Sequence, residues 1–345
     1  MLGRFIMRRY HIVLCCEADE EVGMGHAVRS AALLNLLSSQ TSDKLQLTVL
    51  GSSIFINKLF PEARKLPPPD WSNLDWEKYN LPKIDLVLAD IPFYRSRDWK
   101  KVRHPTAPLV VIDDHGGIVP ANLVINGTVL PSYHEYHHPL PGQVFAGAKF
   151  ALIRQEFASI QWESQKAHGV TIIVGGGNQA RKWIFGIMQI YGQVGSAAFD
   201  DRRVTLVVGS TFVGFDQLAD ICKKYGVILY TGLSSLDMAR LMALSEVALV
   251  TAGMVLYEAI TIGVPTVTYP QIPDLVQEAA WFASKGACID LGADNNACYG
   301  ALVAVRDLLS KKEDAIGMSL IQRELLDGLG MQRAANEILK LLESK

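Results

Sequence analysis

Glu17–Leu37, EADEEVGMGHAVRSAALLNLL, follows the short apolar run His11–Cys16, HIVLCC, and the change of period between the two decides the fold. The first run reads as a buried strand. Beyond it Val28, Ala31, Ala32, Leu34 and Leu37 recur at helical spacing, which predicts a helix from near Gly25 to about Ser38. Gly23 and Gly25 stand where strand becomes helix. Residues without a Cβ let the backbone approach a ligand and let amide N–H groups point into a crevice. His26 then sits at a helix N-terminus, whose positive end favours the neutral imidazole that a general base needs near neutral pH. The plain alternative is a solvated histidine near a helix start. A second glycine-rich turn later in the chain weighs against it.

The rest of the chain extends this pattern. Gln46–Leu50, Ile84–Ala89, Leu109–Ile112 and Leu123–Ile125 read as strands separated by helical segments, so the first half should form a parallel sheet covered on both faces. Ligands of such sheets bind beyond the carboxyl ends of the strands, where Asp90, Asp113, Asp114 and Asn126 fall. Asp90, with Tyr94 four residues on, is the candidate for the cleft, and Asp114 is read as a turn or cap residue. Residues 128–149 carry three prolines and no periodicity and read as a crossover between domains. Their His134-Glu135-Tyr136-His137-His138 matches a zinc signature that works only on a helix, and the prolines argue against one. A second series follows, with strands at Val170–Val174, Val204–Val208, Val227–Tyr230, Val247–Thr251 and Thr266–Tyr269. Final helices are expected at Ala301–Leu309 and Met318–Leu342. The expected architecture is α/β: two Rossmann-like, doubly wound domains with an interdomain cleft. Domain one spans residues 1–150 and domain two 151–316, with a C-terminal helix at 317–345 returning to the first.

At 345 residues the chain is long enough for two such domains, and 33 basic against 35 acidic residues leave no electrostatic footprint for nucleic acid or anionic membrane. The apolar run after Arg4, Arg8 and Arg9 is shorter than the about 7–15 residues of a secretory h-region, and acids follow it. Five cysteines without C-x-x-C spacing fit reduced thiols in the cytoplasm. The apolar stretch Val247–Tyr269 holds Gly253, Glu258 and Pro265, which makes it a buried strand, turn, helix and strand rather than a membrane span.

Two further turns are candidates for phosphate. Gly175-Gly176-Gly177-Asn178-Gln179-Ala180 fits G-x-G-x-x-A, but the following strand ends Val208-Gly209-Ser210 without the acid that a dinucleotide ribose requires. A phosphate turn without the dinucleotide is the better reading. Thr251-Ala252-Gly253-Met254 leads into a helix bearing Glu258 among Val255, Leu256, Ala259 and Ile260. A carboxylate one turn into a helix can accept both hydroxyls of a ribose while phosphates meet the N–H groups of Gly253 and Met254.

In combination these stretches resemble a family. VGMGHAVRSAALL, LVLAD, LVVIDD, LVINGT, FAGAKFALIRQEF, the Gly-Gly-Gly-Asn turn and TAGMVLYEAITIGVP occur in the order found in the UDP-2,4-diacetamido-2,4,6-trideoxy-altropyranose hydrolases of pseudaminic acid synthesis and the related spore-coat polysaccharide proteins. The resemblance implies a GT-B type fold. It also implies hydrolysis of a UDP-sugar to UDP and free sugar, in bacterial surface-glycan synthesis. Carried over, His26 is the base that activates water, with Arg29 orienting the imidazole or meeting phosphate. Glu258, with Ala252, Gly253 and Met254, holds ribose and phosphates. No cofactor and no metal are implied. The partner is the UDP-sugar substrate, with no nucleic acid and no inserted membrane segment; the protein is expected to be cytoplasmic, and its oligomeric state is left open with a monomer favoured.

The sequence departs from the family at three places. Gly-Gly-Ser-Asp becomes Gly175-Gly176-Gly177-Asn178, Asp-His-Tyr becomes Asp90-Ile91-Pro92-Phe93-Tyr94, and an Asn-Gln pair becomes Asp274-Leu275. These changes concern the sugar more than the nucleotide. A glycosyltransferase of the same fold, with His26 deprotonating an acceptor hydroxyl, and a nucleotide-sugar-binding protein without chemistry are the alternatives.

Overall fold

The computed structural model describes residues 8–19, 23–92, 95–139, 141–175, 179–199, 201–210, 212–271, 273–292 and 297–344. The chain divides into two compact units, residues 1–152 with 329–345, and residues 153–328.

The first unit carries strands β1 (Arg9–Cys16), β2 (Lys44–Leu50), β3 (Arg64–Leu66), β4 (Leu86–Asp90), β5 (Leu109–Ile112), β6 (Leu123–Asn126) and β7 (Gln143–Ala146). They form one sheet in the order β3-β2-β1-β4-β5-β6-β7, every pair parallel. Helix α1 (Gly25–Gln40) leads from β1 to β2, α2 (Ile54–Leu59) from β2 to β3, and α3 (Trp99–Val102) from β4 to β5. Strand β1 shows why its run is apolar throughout. Ile12, Leu14 and Cys16 pack in the core with the α1 residues Ala27, Leu33 and Leu37, whereas Val13 and Cys15 face a second core around Trp71, Trp99 and Val102. The order of strands reverses between β1 and β4, so the carboxyl ends of those two strands flank the switch point of the sheet.

The second unit repeats the plan. Its helices are α4 (Gln155–Ala158), α5 (Gln179–Val194), α6 (Phe215–Tyr225), α7 (Ser235–Ala243), α8 (Met254–Ile262), α9 (Pro273–Ser284), α10 (Ala297–Ser310) and α11 (Lys312–Leu325). Strands β8 (Val170–Val174), β9 (Val204–Val208), β10 (Ile228–Thr231), β11 (Val247–Thr251), β12 (Thr266–Tyr269) and β13 (Ile289–Asp290) form a parallel sheet in the order β10-β9-β8-β11-β12-β13. Its switch point lies between β8 and β11.

Three elements differ from the sequence expectations. Strands β3 and β7 sit at opposite edges of the first sheet. Arg-Lys-Leu and Gln-Val-Phe-Ala carry no buried run because an edge strand keeps polar residues toward water, so β7 was hidden within 128–149. The terminal helix expected over Met318–Leu342 is two helices. It breaks at Leu326–Leu329, where Gly328 has φ +71°, and α11 belongs to the second unit. Only α12 (Gly330–Glu343) lies in the first, packing Met331, Ala334, Ala335, Ile338 and Leu342 into the core beside α1. Gly330 is required there, since a Cβ would overlap the Ala151 carbonyl.

Residues 247–269 are β11, α8 and β12, and among the described residues no helix is long and apolar enough to cross a membrane. The zinc-like motif is not helical. His134 ends a single short turn, Pro131–His134, after which Glu135 is extended (φ −85°, ψ 120°). The His134 ring is within 2.9 Å of the Thr128 carbonyl.

Candidate functional site

The switch point of the first sheet is where the sequence candidates meet. Gly23 has φ +79°, a conformation that a side chain would strain, and its N–H donates to the Asp19 carbonyl at 2.9 Å. The chain then enters α1 with Gly25 as its first residue and no side-chain cap on the helix. His26, Arg29 and Ser30 stand at i, i+3 and i+4 and so share one face, toward the carboxyl end of β4. There they converge on Asp90. His26 Nδ1 lies 2.7 Å from Asp90 Oδ1, Arg29 donates from Nη2 to Oδ1 at 2.7 Å and from Nε to Oδ2 at 2.9 Å, and the Ser30 hydroxyl donates to Oδ2 at 2.8 Å.

Three donated hydrogen bonds and the contact with His26 on a carboxylate with 0% exposure explain its ionisation. Burial alone would raise the Asp90 carboxyl, but the Arg29 charge and His26 outweigh it and hold the group far below the usual carboxylate range. Arg29 reaches the other way as well, donating from Nη1 to Asp114 Oδ1 at 2.9 Å and from Nη2 to Asp114 Oδ2 at 2.7 Å. Its guanidinium therefore lies between two carboxylates, each held by a pair of hydrogen bonds. Asp114 is also held low, burial being opposed by Arg29. Asp113 is a different case. It accepts from the Gly116 N–H at 2.7 Å and the Tyr136 hydroxyl at 2.9 Å, and burial together with Asp114 raises its carboxyl. Arg97, on the loop after β4, faces both aspartates and donates to the Pro92 carbonyl at 2.8 Å.

Asp90 is thus at the candidate site but wholly covered, so it can act only through His26. Arg29, expected to orient the imidazole or meet phosphate, is turned to Asp90 and Asp114, which match its charge. Asp114, read from sequence as a turn residue, is part of the network. Ser30 was also missed, although a hydroxyl one turn past His26 on an apolar face was a legible signal. Tyr94 lies outside the described residues.

In the second unit Gly175 follows β8, and its N–H donates to Thr251 Oγ1 at 3.2 Å, which ties the first glycine turn to the end of β11 across the switch point. Gly176, Gly177 and Asn178 lie outside the described residues, as does the side chain of Asp274 in the first turn of α9. Ala252 donates its N–H to the Tyr269 carbonyl at 3.1 Å. Gly253 caps α8 with φ +95° and ψ −152°, and Met254 is the first residue of the helix. Glu258 is buried but not alone. Arg154 Nε donates to its Oε1 at 2.7 Å, and Arg154 Nη1 donates to Ser235 Oγ at 2.8 Å. The guanidinium also lies 4.5 Å from the Phe157 ring centroid. Burial raises the Glu258 carboxyl, with Arg154 opposing. The sequence had Glu258 without this partner. Arg154 follows the buried pair Leu152–Ile153, and that placement is the signal that could have found it.

Among the described residues no cluster of histidine, cysteine or acid has the arrangement of a metal site. The five cysteines are unpaired, and burial raises each thiol for which a shift is seen, Cys222 to about 11 and Cys288 to about 12, so none has the character of a nucleophile.

Two open parallel sheets, each with a glycine-rich turn at its switch point, define a GT-B type fold. Solved structures of that class are similar to this chain. MurG of Acinetobacter baumannii superposes with a TM-score of 0.62 at 14% identity, covering 96% of this chain and 99% of that one. MnaA of S. aureus, solved with UDP, gives 0.64 at 12% identity over 98% and 97% of the two chains. In sequence, the chain is 24% identical over 344 residues to the spore coat polysaccharide biosynthesis protein SpsG of Bacillus subtilis, covering 97% of this chain and 99% of that protein. No family model matches the chain. It is therefore a homologue of a polysaccharide-biosynthesis protein, built on the fold of nucleotide-sugar enzymes.

Proposed function

We propose that the protein hydrolyses a UDP-sugar, releasing UDP and a free amino or deoxy sugar for surface-polysaccharide or nonulosonic acid synthesis, with His26 as general base. The observation that carries this reading is the contact between His26 Nδ1 and the buried, ionised Asp90. A carboxylate on one ring nitrogen holds the imidazole in place and leaves the other nitrogen as the proton acceptor. The His26 side chain keeps 20% of its surface exposed, unlike the covered carboxylate beside it.

In the reaction, Nε2 takes a proton from water as its oxygen bonds to the anomeric carbon. The bond from that carbon to the phosphate oxygen breaks, and its electron pair leaves with UDP. Asp90 stabilises the imidazolium that forms and does not itself become protonated. Uncapped helix N-termini suit the negative charge of the leaving diphosphate. We assign the turn Ala252–Met254 to the phosphates and Glu258 to the ribose, its Oε1 fixed by Arg154 and its Oε2 turned to the nucleotide. UDP-sugar recognition is also in keeping with MnaA, whose structure was solved with UDP.

The test is UDP release from a panel of UDP-sugars, with and without an acceptor. Release without acceptor that disappears in His26→Ala, while UDP still binds, supports the reading. Release only when a sugar or lipid acceptor is added replaces hydrolysis by glycosyl transfer, and interconversion of the sugar without release replaces it by epimerisation. Tight binding with no turnover leaves a binding protein.

A further inference from the structure

We propose that Asp114 selects the tautomer of His26, acting through Arg29 as a positioning residue two hydrogen bonds from the imidazole. Arg29 Nη2 is the atom that decides this. It lies 3.1 Å from His26 Nδ1, close enough to donate to it, and a bond there would force the ring proton onto Nε2. An imidazole protonated at Nε2 cannot accept a proton from water at that atom.

The nitrogen has only two hydrogens to give. One goes to Asp90 Oδ1 at 2.7 Å and the other to Asp114 Oδ2 at 2.7 Å, so the imidazole, at 3.1 Å, is left at most a share of one of them. Asp114 further fixes the plane of the guanidinium by taking Nη1 at 2.9 Å. With Arg29 occupied, the 2.7 Å contact between His26 Nδ1 and Asp90 Oδ1 is attractive only if Nδ1 carries the proton; two lone pairs at that distance would repel. Without Asp114, the planar guanidinium is held by Asp90 alone and is free to tilt until an Nη2 hydrogen meets Nδ1 and competes with Asp90 for the ring.

As an account of catalysis this rests on His26 being the base, but its test needs no substrate. Histidine ¹⁵N NMR of the whole chain reads the tautomer directly. The wild-type protein is expected to show a protonated Nδ1 and a bare Nε2 on neutral His26. D114A and D114L are expected to lose the Nδ1-bound proton signal in whole or part, with the His11 ring, held by Thr48 at 2.9 Å, unchanged as the folding control. The double variant R29M/D114A has no side-chain hydrogen at position 29 to misplace, and it is expected to regain the wild-type tautomer. A purely structural role for Asp114 would give no such rescue.

A wild-type His26 protonated at Nε2 overturns the proposal, as does an unchanged tautomer in a folded D114A or a double variant that fails to restore it. If D114A and D114L both fail to fold and R29M/D114A folds with Nε2 protonated, the proposal also falls. The expected tautomers without any UDP release would count against the hydrolase and leave this inference standing.

Discussion

Nδ1 of His26 lies 2.7 Å from an oxygen of Asp90 that solvent does not reach. Removing water from the carboxylate strengthens its hold on the imidazole, and its place against Nδ1 leaves Nε2 as the nitrogen that could take a proton. His26→Ala is therefore expected to cut UDP release by about 10²–10⁴-fold, the range for loss of a general base. Affinity for UDP, measured by calorimetry, should stay where it was. A variant that releases UDP at the wild-type rate would remove His26 from the reaction.

Asp90→Asn asks more of the fold. The amide can accept from His26 or donate to its neighbours, but it cannot accept all four hydrogen bonds, and it leaves Arg29 short of a charge. We expect a loss of about 3–5 kcal/mol in urea unfolding, as when one partner of a buried pair is removed, together with a drop in turnover larger than the loss of folded protein explains. Unchanged unfolding midpoints would mean that Asp90 is solvated, contrary to its position.

Acid sensitivity follows from the same carboxylates. Asp90 and Asp114 are both held below the ordinary value, so their contribution to stability is complete above about pH 3.9 and disappears as pH falls through their lower folded values. Asp113 is raised and works in the opposite sense, its contribution being lost as pH rises through its folded value. The wild-type unfolding free energy should therefore fall steeply below about pH 4. Asp90→Asn, weaker at neutral pH, should fall less. Parallel curves for the two proteins would contradict the assignment of Asp90 as the depressed group.

Much of this was legible in the sequence because burial writes itself into composition. The runs HIVLCC and VALVT could be placed as central strands, since both faces of each are covered, and the turns at Gly23 and Gly253 could be placed because strand and helix meet there. His26, Asp90 and Glu258 followed from those positions. The partners were harder. Asp114 and Arg154 are polar residues whose neighbours are distant in the chain, 85 residues from Arg29 and 104 from Glu258, and no local period records such a pairing. The edge strands β3 and β7 were missed because both are short and neither is buried on two faces.

The pairing of Glu258 with Arg154 sets the pH at which nucleotide binding should weaken. Burial already raises the Glu258 carboxyl, and Arg154 is what opposes it. In Arg154→Met the carboxyl should rise further and take up a proton at a higher pH than in the wild-type protein, and a protonated acid no longer accepts both ribose hydroxyls. UDP affinity of this variant should then weaken as pH is lowered, while Glu258→Gln should be weak at every pH. Affinity in Arg154→Met that neither falls nor varies with pH would detach Glu258 from nucleotide binding.

Gly253 and Gly175 separate backbone strain from crowding. At Gly253 the angles, φ +95° and ψ −152°, belong to glycine alone, whereas a Cβ would meet only Leu275 Cδ1 at 3.4 Å, ordinary contact for a movable side chain. The cost of Gly253→Ala is therefore conformational, about 1–3 kcal/mol. It should appear as a lower melting temperature and as weaker UDP binding, because relieving the strain turns the first N–H groups of α8 away from the phosphates. Gly175 has no such angle, and a Cβ there would meet Thr251 Oγ1 at 3.5 Å without conflict. Gly175→Ala is expected to leave the melting temperature nearly unchanged. Equal losses at the two positions would mean that space, and not the backbone angle, makes glycine necessary at the start of α8.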